Sequence, residues 1–144
     1  MTSPQKRKGH AAELAVVKWL REKGIMADRI QAGTHADKGD VTGWPGIVIE
    51  VKDRKAHSWH GYFEQLRRQM KNADAWTGVI VAKRPGITDV GEWMAVMPVT
   101  EWYELMCLLE EQASGFKKAH QSATSLSAKE KVQQQLDNYR KKFG

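Results

Sequence analysis

The sequence predicts one α/β domain with a basic appendage, and three observations carry that prediction. Its 144 residues suffice for one hydrophobic core and fall short of two ordinary domains. A hydrophobic fraction of 41% beside 28% charged residues belongs to a globular chain rather than a disordered or fibrous one. Apolar residues recur first at a helical period, then in short β-rich runs, then at a helical period again, which gives the order α-β-β-β-α-β-β-α.

Thr2-Ser3-Pro4 opens a helix that runs to Lys23, with Ser3 as N-cap, Pro4 at the first position and Gly24 as the stop. The stretch from Ile25 to Asp53 is rich in β-formers punctuated by Gly and Pro. It reads as two short strands, a Trp44-Pro45-Gly46 turn and a firm strand from Gly46 to Asp53. Trp59, Tyr62, Phe63, Leu66, Met70 and Ala73 repeat at helical spacing and predict a second helix over 58–75. Gly78 to Lys83 and Glu92 to Met97 read as a hairpin with the long turn RPGITDVG. Thr100 is the expected N-cap of a third helix, striped by Trp102, Leu105, Met106 and Leu109.

Residues 1–114 form the expected main domain, and 115–144 a basic, Gln- and Lys-rich helical tail that faces DNA or a partner, striped by Val132, Leu136, Tyr139 and Phe143. The formal charge of +6 points to an acidic partner such as nucleic acid. Most of it sits in the tail, where seven Lys and Arg stand against Glu130 and Asp137. One cysteine, Cys107, in the apolar run WYELMCLL excludes an internal disulfide and reads as a buried thiol. No stretch approaches the ~20 apolar residues of a membrane span, and the polar start MTSPQKRKGH lacks the apolar centre of a secretion signal. The expected compartment is the cytoplasm.

Acids placed among apolar residues mark the candidate chemistry. In Ile47-Val48-Ile49-Glu50-Val51-Lys52, period two puts Glu50 and Lys52 on one face with Val48. Asp40 precedes Glu50 by ten positions, across a turn that folds the chain back, so adjacent antiparallel strands would bring the two carboxylates together. Paired carboxylates suit a hard divalent cation, and Lys52 beside them can orient a water or neutralise a phosphate. Glu13 falls in helical register with Val16, Val17 and Leu20, where an unpartnered carboxylate is costly and a cation or lysine would offset it. His35 with Asp37, and His57 with His60, lack a second ligand pair of zinc spacing and read as structural or surface histidines. Asp37 either assists Asp40 or makes the turn. The six Trp read as packing, with Trp44 and Trp59 able to stack on an unpaired base.

GDVTGWPGIVIEVK, read as Asp40, nine residues, Glu50, one residue and Lys52, resembles the core motif of the PD-(D/E)XK nuclease superfamily. The preceding KRKGHAAELAVVKWLREKG, carrying Glu13, resembles the first helix of its Holliday junction resolvase branch. The stretch WHGYFEQLRRQMKNADAWTGVIVAKRPGITDVGEWMAVM is similar to the second half of small phage resolvases, with Gln65 in the place of a helix glutamine and Gln69 as a second candidate. Asp40 is preceded by Gly39 rather than Pro, a departure common in the superfamily. The likeness covers roughly residues 6 to 110.

What the resemblance implies is a restriction-endonuclease-like core, α-β-β-β-α-β, with a mixed central sheet flanked by helices. It implies Mg²⁺-dependent phosphodiester hydrolysis, with Mn²⁺ as a substitute, and a homodimer on four-way or other branched DNA in a host cytoplasm. Its site residues are Glu13, Asp40, Glu50, Lys52 and Gln65, with metal held by Glu13, Asp40, Glu50 and the carbonyl of Val51. Lys6, Arg7, Lys8, Arg54, Lys55, Arg67 and Arg68 are the expected phosphate contacts. The alternatives are another nuclease of the superfamily, acting on duplex, flap or single-stranded DNA, and a non-enzymatic DNA-binding protein of phage recombination or packaging.

Overall fold

Ser3 and Pro4 set where the first helix begins. In the computed structural model, which describes residues 2–33, 36–121 and 126–143, α1 spans Pro4–Glu22. The Ser3 hydroxyl accepts the Lys6 N–H, which satisfies one of the orphan donors of the first turn. Ala12, Val16, Val17 and Leu20 line one side of α1 and are buried.

Five strands follow: β1 (Asp28–Arg29), β2 (Val41–Thr42), β3 (Ile47–Lys52), β4 (Thr77–Ala82) and β5 (Met94–Val96). They form one mixed sheet in the order β1-β2-β3-β4-β5. β3 and β4 are parallel, Ile47 opposite Thr77 through Lys52 opposite Ala82, and the other neighbours are antiparallel. A parallel pair needs a crossover, and α2 (Trp59–Asn72) supplies it. The expected hairpin forms between β4 and β5, and its long turn holds one 3₁₀ turn, Val90–Glu92.

β3 is covered on both faces, which is why it reads as a near-continuous β-branched run. Ile49 and Val51 pack with Val41 and the apolar side of α1. Val48 turns the other way and packs with Leu66 and Ile80, beside Tyr62, Phe63 and Met70 of α2. The two small cores therefore share one strand, and that strand carries Glu50 and Lys52 at its end.

The third helix differs from expectation at its start. α3 runs Val99–Gln121, so Thr100 lies inside the first turn rather than capping it; the helix begins directly after Pro98. Glu101 in that turn is buried. A fourth helix, α4, spans Leu126–Phe143 in the basic tail. The chain divides into two compact units, Met1–Glu101 and Trp102–Gly144, a division that falls within α3. In the second unit Trp102, Tyr103 and Leu109 are exposed, and Cys107 is half-exposed rather than buried as expected. Tyr139 and Phe143 of α4 lie 4.8 Å apart between ring centroids, Leu136 is half-buried, and the side chain of Val132 lies outside the described residues. No helix among the described residues is long and apolar enough to cross a membrane.

One glycine positions the end of the site loop. Gly39 is buried at φ +102°, and a Cβ there would lie 2.9 Å from Val48 Cγ1 and 3.0 Å from the Ile49 carbonyl oxygen. Backbone cannot move aside as a flexible side chain can. Gly39→Ala is expected to destabilise the protein by about 2 kcal/mol or more, read as a lower urea midpoint at unchanged slope. A midpoint equal to the parent's would show that the strand pair tolerates the methyl.

Candidate active site

Alternation along β3 decides where its charges go. Glu50 and Lys52 share the α2 side with Val48. Glu50 is 3% exposed, and both of its oxygens are taken: Oε1 accepts from Lys52 Nζ at 2.6 Å, and Oε2 accepts from Gln69 Nε2 at 2.6 Å. The Lys52 ammonium gives a second N–H to Gln65 Oε1 at 2.8 Å and lies 4.8 Å from the centre of the Tyr62 ring. A buried ion pair persists only when such further bonds satisfy both partners.

Asp40 enters from the neighbouring strand. Its backbone N–H bonds the Ile49 carbonyl at 2.9 Å, and its side-chain Oδ2 accepts the Val51 N–H at 2.8 Å. This brings the Asp40 carboxyl beside that of Glu50. Burial above all, and then the negative charge of Glu50, push Asp40 from an ordinary 3.8 up to about 7; the Val51 N–H opposes this and Glu13 adds to it. The Lys52 carbonyl accepts the Lys83 N–H at 2.8 Å on the β4 side, so strand alternation turns the peptide groups of Val51 towards Asp40, beyond the end of β2.

Glu13 of α1 lines the same cleft as Asp40, Glu50, Val51 and Lys52, a space of about 840 Å³. Its carboxylate is paired with the Arg29 guanidinium of β1, a partner the sequence reading missed. Among the described residues no group of three or more His, Cys, Asp and Glu side chains is placed to hold a metal ion. Asp40 and Glu50 stand as a pair, with the third acid held by Arg29. His57 stacks on Trp59 at 4.6 Å between centroids, and His35 lies outside the described residues.

The expected phosphate contacts divide into two groups. Lys6, Arg7 and Arg54 are exposed and line the cleft; Lys55 and Arg68 are exposed. Lys8 and Arg67 are exposed as well and also make ion pairs: Lys8 is bonded to Asp53 at 3.2 Å, which Lys83 approaches at 3.7 Å, and Arg67 donates to Glu101 at 3.1 Å. Both of these cations hold the fold's own acids.

Gln65 joins the site through Lys52, but Gln69, one turn on, is the more deeply placed, at 1% exposure. The spacing of four between the two glutamines was the visible signal for it. Asp37 had a signal too, its nearness to Asp40 in the chain. Arg29 and Asp53 had none, because each is defined by a partner far away in sequence.

Compared with known families and curated proteins, the chain matches no family model and no curated sequence.

The raised Asp40 fixes the sign of a pH effect. A carboxyl whose folded pKa exceeds its unfolded value contributes fully below about pH 4, and the contribution is lost as pH rises through about 7. Asp40→Asn removes that burden. Its stability relative to the parent, from urea midpoints, is expected to rise between about pH 4 and pH 8 by on the order of 1–3 kcal/mol. A pH-independent difference would mean that Asp40 ionises freely.

Proposed function

We propose that the protein is a Mg²⁺-dependent DNA endonuclease with a restriction-endonuclease-like core, cutting branched DNA as a homodimer. The observation that carries this reading is the Asp40 and Glu50 pair beside Lys52, at the end of one strand and in a cleft bordered by Lys6, Arg7 and Arg54. The preference for branched DNA and the homodimer rest on the resemblance of the α1 sequence, and of the stretch from Trp59 to Met97, to junction resolvases.

By the chemistry of its donors, though not by their present spacing, the site suits a hard divalent cation. Asp40 and Glu50 are oxygen donors whose mutual repulsion a cation would relieve, the Val51 carbonyl faces the same side, and Glu13 lines the same cleft. Bound there, Mg²⁺ or Mn²⁺ would supply polarisation of the scissile phosphate and activation of a water. The chain's own groups do the rest. Two of the three Lys52 N–H groups are held by Glu50 and Gln65, which leaves one for a substrate oxygen beside the Tyr62 ring. Lys6, Arg7 and Arg54 hold phosphates along the cleft, and Lys55 and Arg68 are further exposed cations open to the same partner.

The test is incubation of the purified protein with a four-way junction, a linear duplex and single-stranded DNA, in Mg²⁺ or in EDTA. Symmetric nicking of the junction alone is expected, and only with Mg²⁺. Cutting of every substrate would indicate another nuclease of the same chemistry, and binding without cutting a DNA-binding protein. Asp40→Asn and Lys52→Ala are each expected to lower cleavage about a hundredfold or more with junction binding largely kept. Retained cleavage by either would remove this site from the reaction. Binding should weaken steeply with salt, and Arg54→Ala should reduce the slope of log affinity against log salt by about one.

A further inference from the structure

Five side chains close a hydrogen-bonded ring on the α2 side of β3. Gln65 Nε2 donates to Asp37 at 3.4 Å, and Gln65 Oε1 accepts from Lys52 Nζ at 2.8 Å. Lys52 Nζ donates to Glu50 Oε1 at 2.6 Å, and Glu50 Oε2 accepts from Gln69 Nε2 at 2.6 Å. Gln69 Nε2 returns to Asp37, 3.0 and 3.1 Å from its two oxygens. Asn72 Nδ2 bonds the Asp37 carbonyl at 2.8 Å and ties the loop to the same helix.

The nitrogen and oxygen of a side-chain amide are told apart by their neighbours, and here the neighbours decide. Gln65 has an ammonium at one end and a carboxylate at the other, so only one orientation satisfies both. Gln69 has carboxylates of Asp37 and Glu50 around its NH₂ group, and it keeps that orientation although its own buried Oε1 is left without a partner. Turning it over would set an oxygen against two carboxylates, a larger cost than one unmet acceptor. Asp37 is the member of the ring that bonds both amides.

We propose that Asp37 is a positioning residue for DNA cleavage, setting through Gln65 and Gln69 the directions in which Lys52 and Glu50 present their charges. This rests on the nuclease reading above. Asp37→Asn offers Gln65 an NH₂ group where it had an acceptor. The Lys52 ammonium keeps the Gln65 amide in its orientation, so the Gln65 NH₂ now faces a donor at position 37, the amide is pushed from its place, and its contact with Lys52 loosens. Adding Gln65→Glu repairs this. The carboxylate at position 65 accepts from the amide at position 37 and from Lys52 together, and the net charge equals that of the parent. Asp37 also accepts the Gly39 N–H at 3.1 Å, so its competing role is to shape the turn. A lost turn could not be repaired from position 65.

The experiment compares the parent, Asp37→Asn, and Asp37→Asn with Gln65→Glu in two measurements: junction cleavage in Mg²⁺, and the ¹³Cε resonance of Lys52 in lysine-labelled protein without metal. The single variant is expected to cleave about 10–100-fold more slowly, chiefly in kcat, and to move the Lys52 resonance. The double variant is expected to recover most of the rate and the parent resonance. An unmoved resonance in the single variant, or a double variant no better than the single, overturns the proposal. A parent that cleaves no DNA overturns the nuclease reading and the cleavage role with it, while the resonance still reports whether Asp37 orients Lys52.

Discussion

The bonding of Glu50 to Lys52 inside the protein is the constraint on which the rest of the site depends. β3 is the strand shared by both cores, so any charge on it must be satisfied by side chains rather than by water. The 2.6 Å contact between the two does half of that work, and α2 does the remainder with Gln65 and Gln69. Neither glutamine is needed to make α2 a helix or to bury its apolar side. Both are needed because a carboxylate and an ammonium lie beneath them. The same demand explains why the loop ahead of Asp40 is tied to α2 by Gln69 and Asn72.

Much of this was legible in the sequence because it depends on period alone. The alternation of Ile47 to Lys52 assigned each residue of β3 to its side, and the helical spacing of Glu13 with Val16, Val17 and Leu20 placed that acid beside the core. Ser3 and Pro4 marked the start of α1 through local chemistry. Thr100 did not mark the start of α3, because Pro98 already restricts the chain and the helix begins at once with Val99. A threonine at the right distance from an apolar stripe is a cap only if its backbone stays outside the helix.

What stayed hidden depends on contacts between distant segments. Arg29 stands in a two-residue strand with nothing in its neighbourhood to suggest that it would meet Glu13. Asp53 follows β3 as an apparently ordinary surface acid, yet it gathers Lys8 from α1 and Lys83 from just past β4. Those pairings also divide the basic residues. Sequence gives Lys6, Arg7 and Lys8 equal standing as phosphate contacts, whereas the fold commits Lys8 to Asp53 and leaves its two neighbours on the rim of the cleft.

Charge balance within the cluster then singles out one position. Glu13 has Arg29, Glu50 has Lys52, Asp53 has Lys8 and Lys83, and Asp37 has two amides. Asp40 has a backbone N–H from Val51, and against it stand burial and the charges of Glu50 and Glu13. A single neutral donor cannot hold a carboxylate ionised under that repulsion, so the group answers by keeping a proton up to about pH 7. Either a proton or a cation meets the deficit, and only the cation leaves Asp40 ionised. The acid that the fold leaves short of positive charge is the one that the strand pairing holds against Val51, on the side of β3 where β2 has ended and a ligand has room to enter.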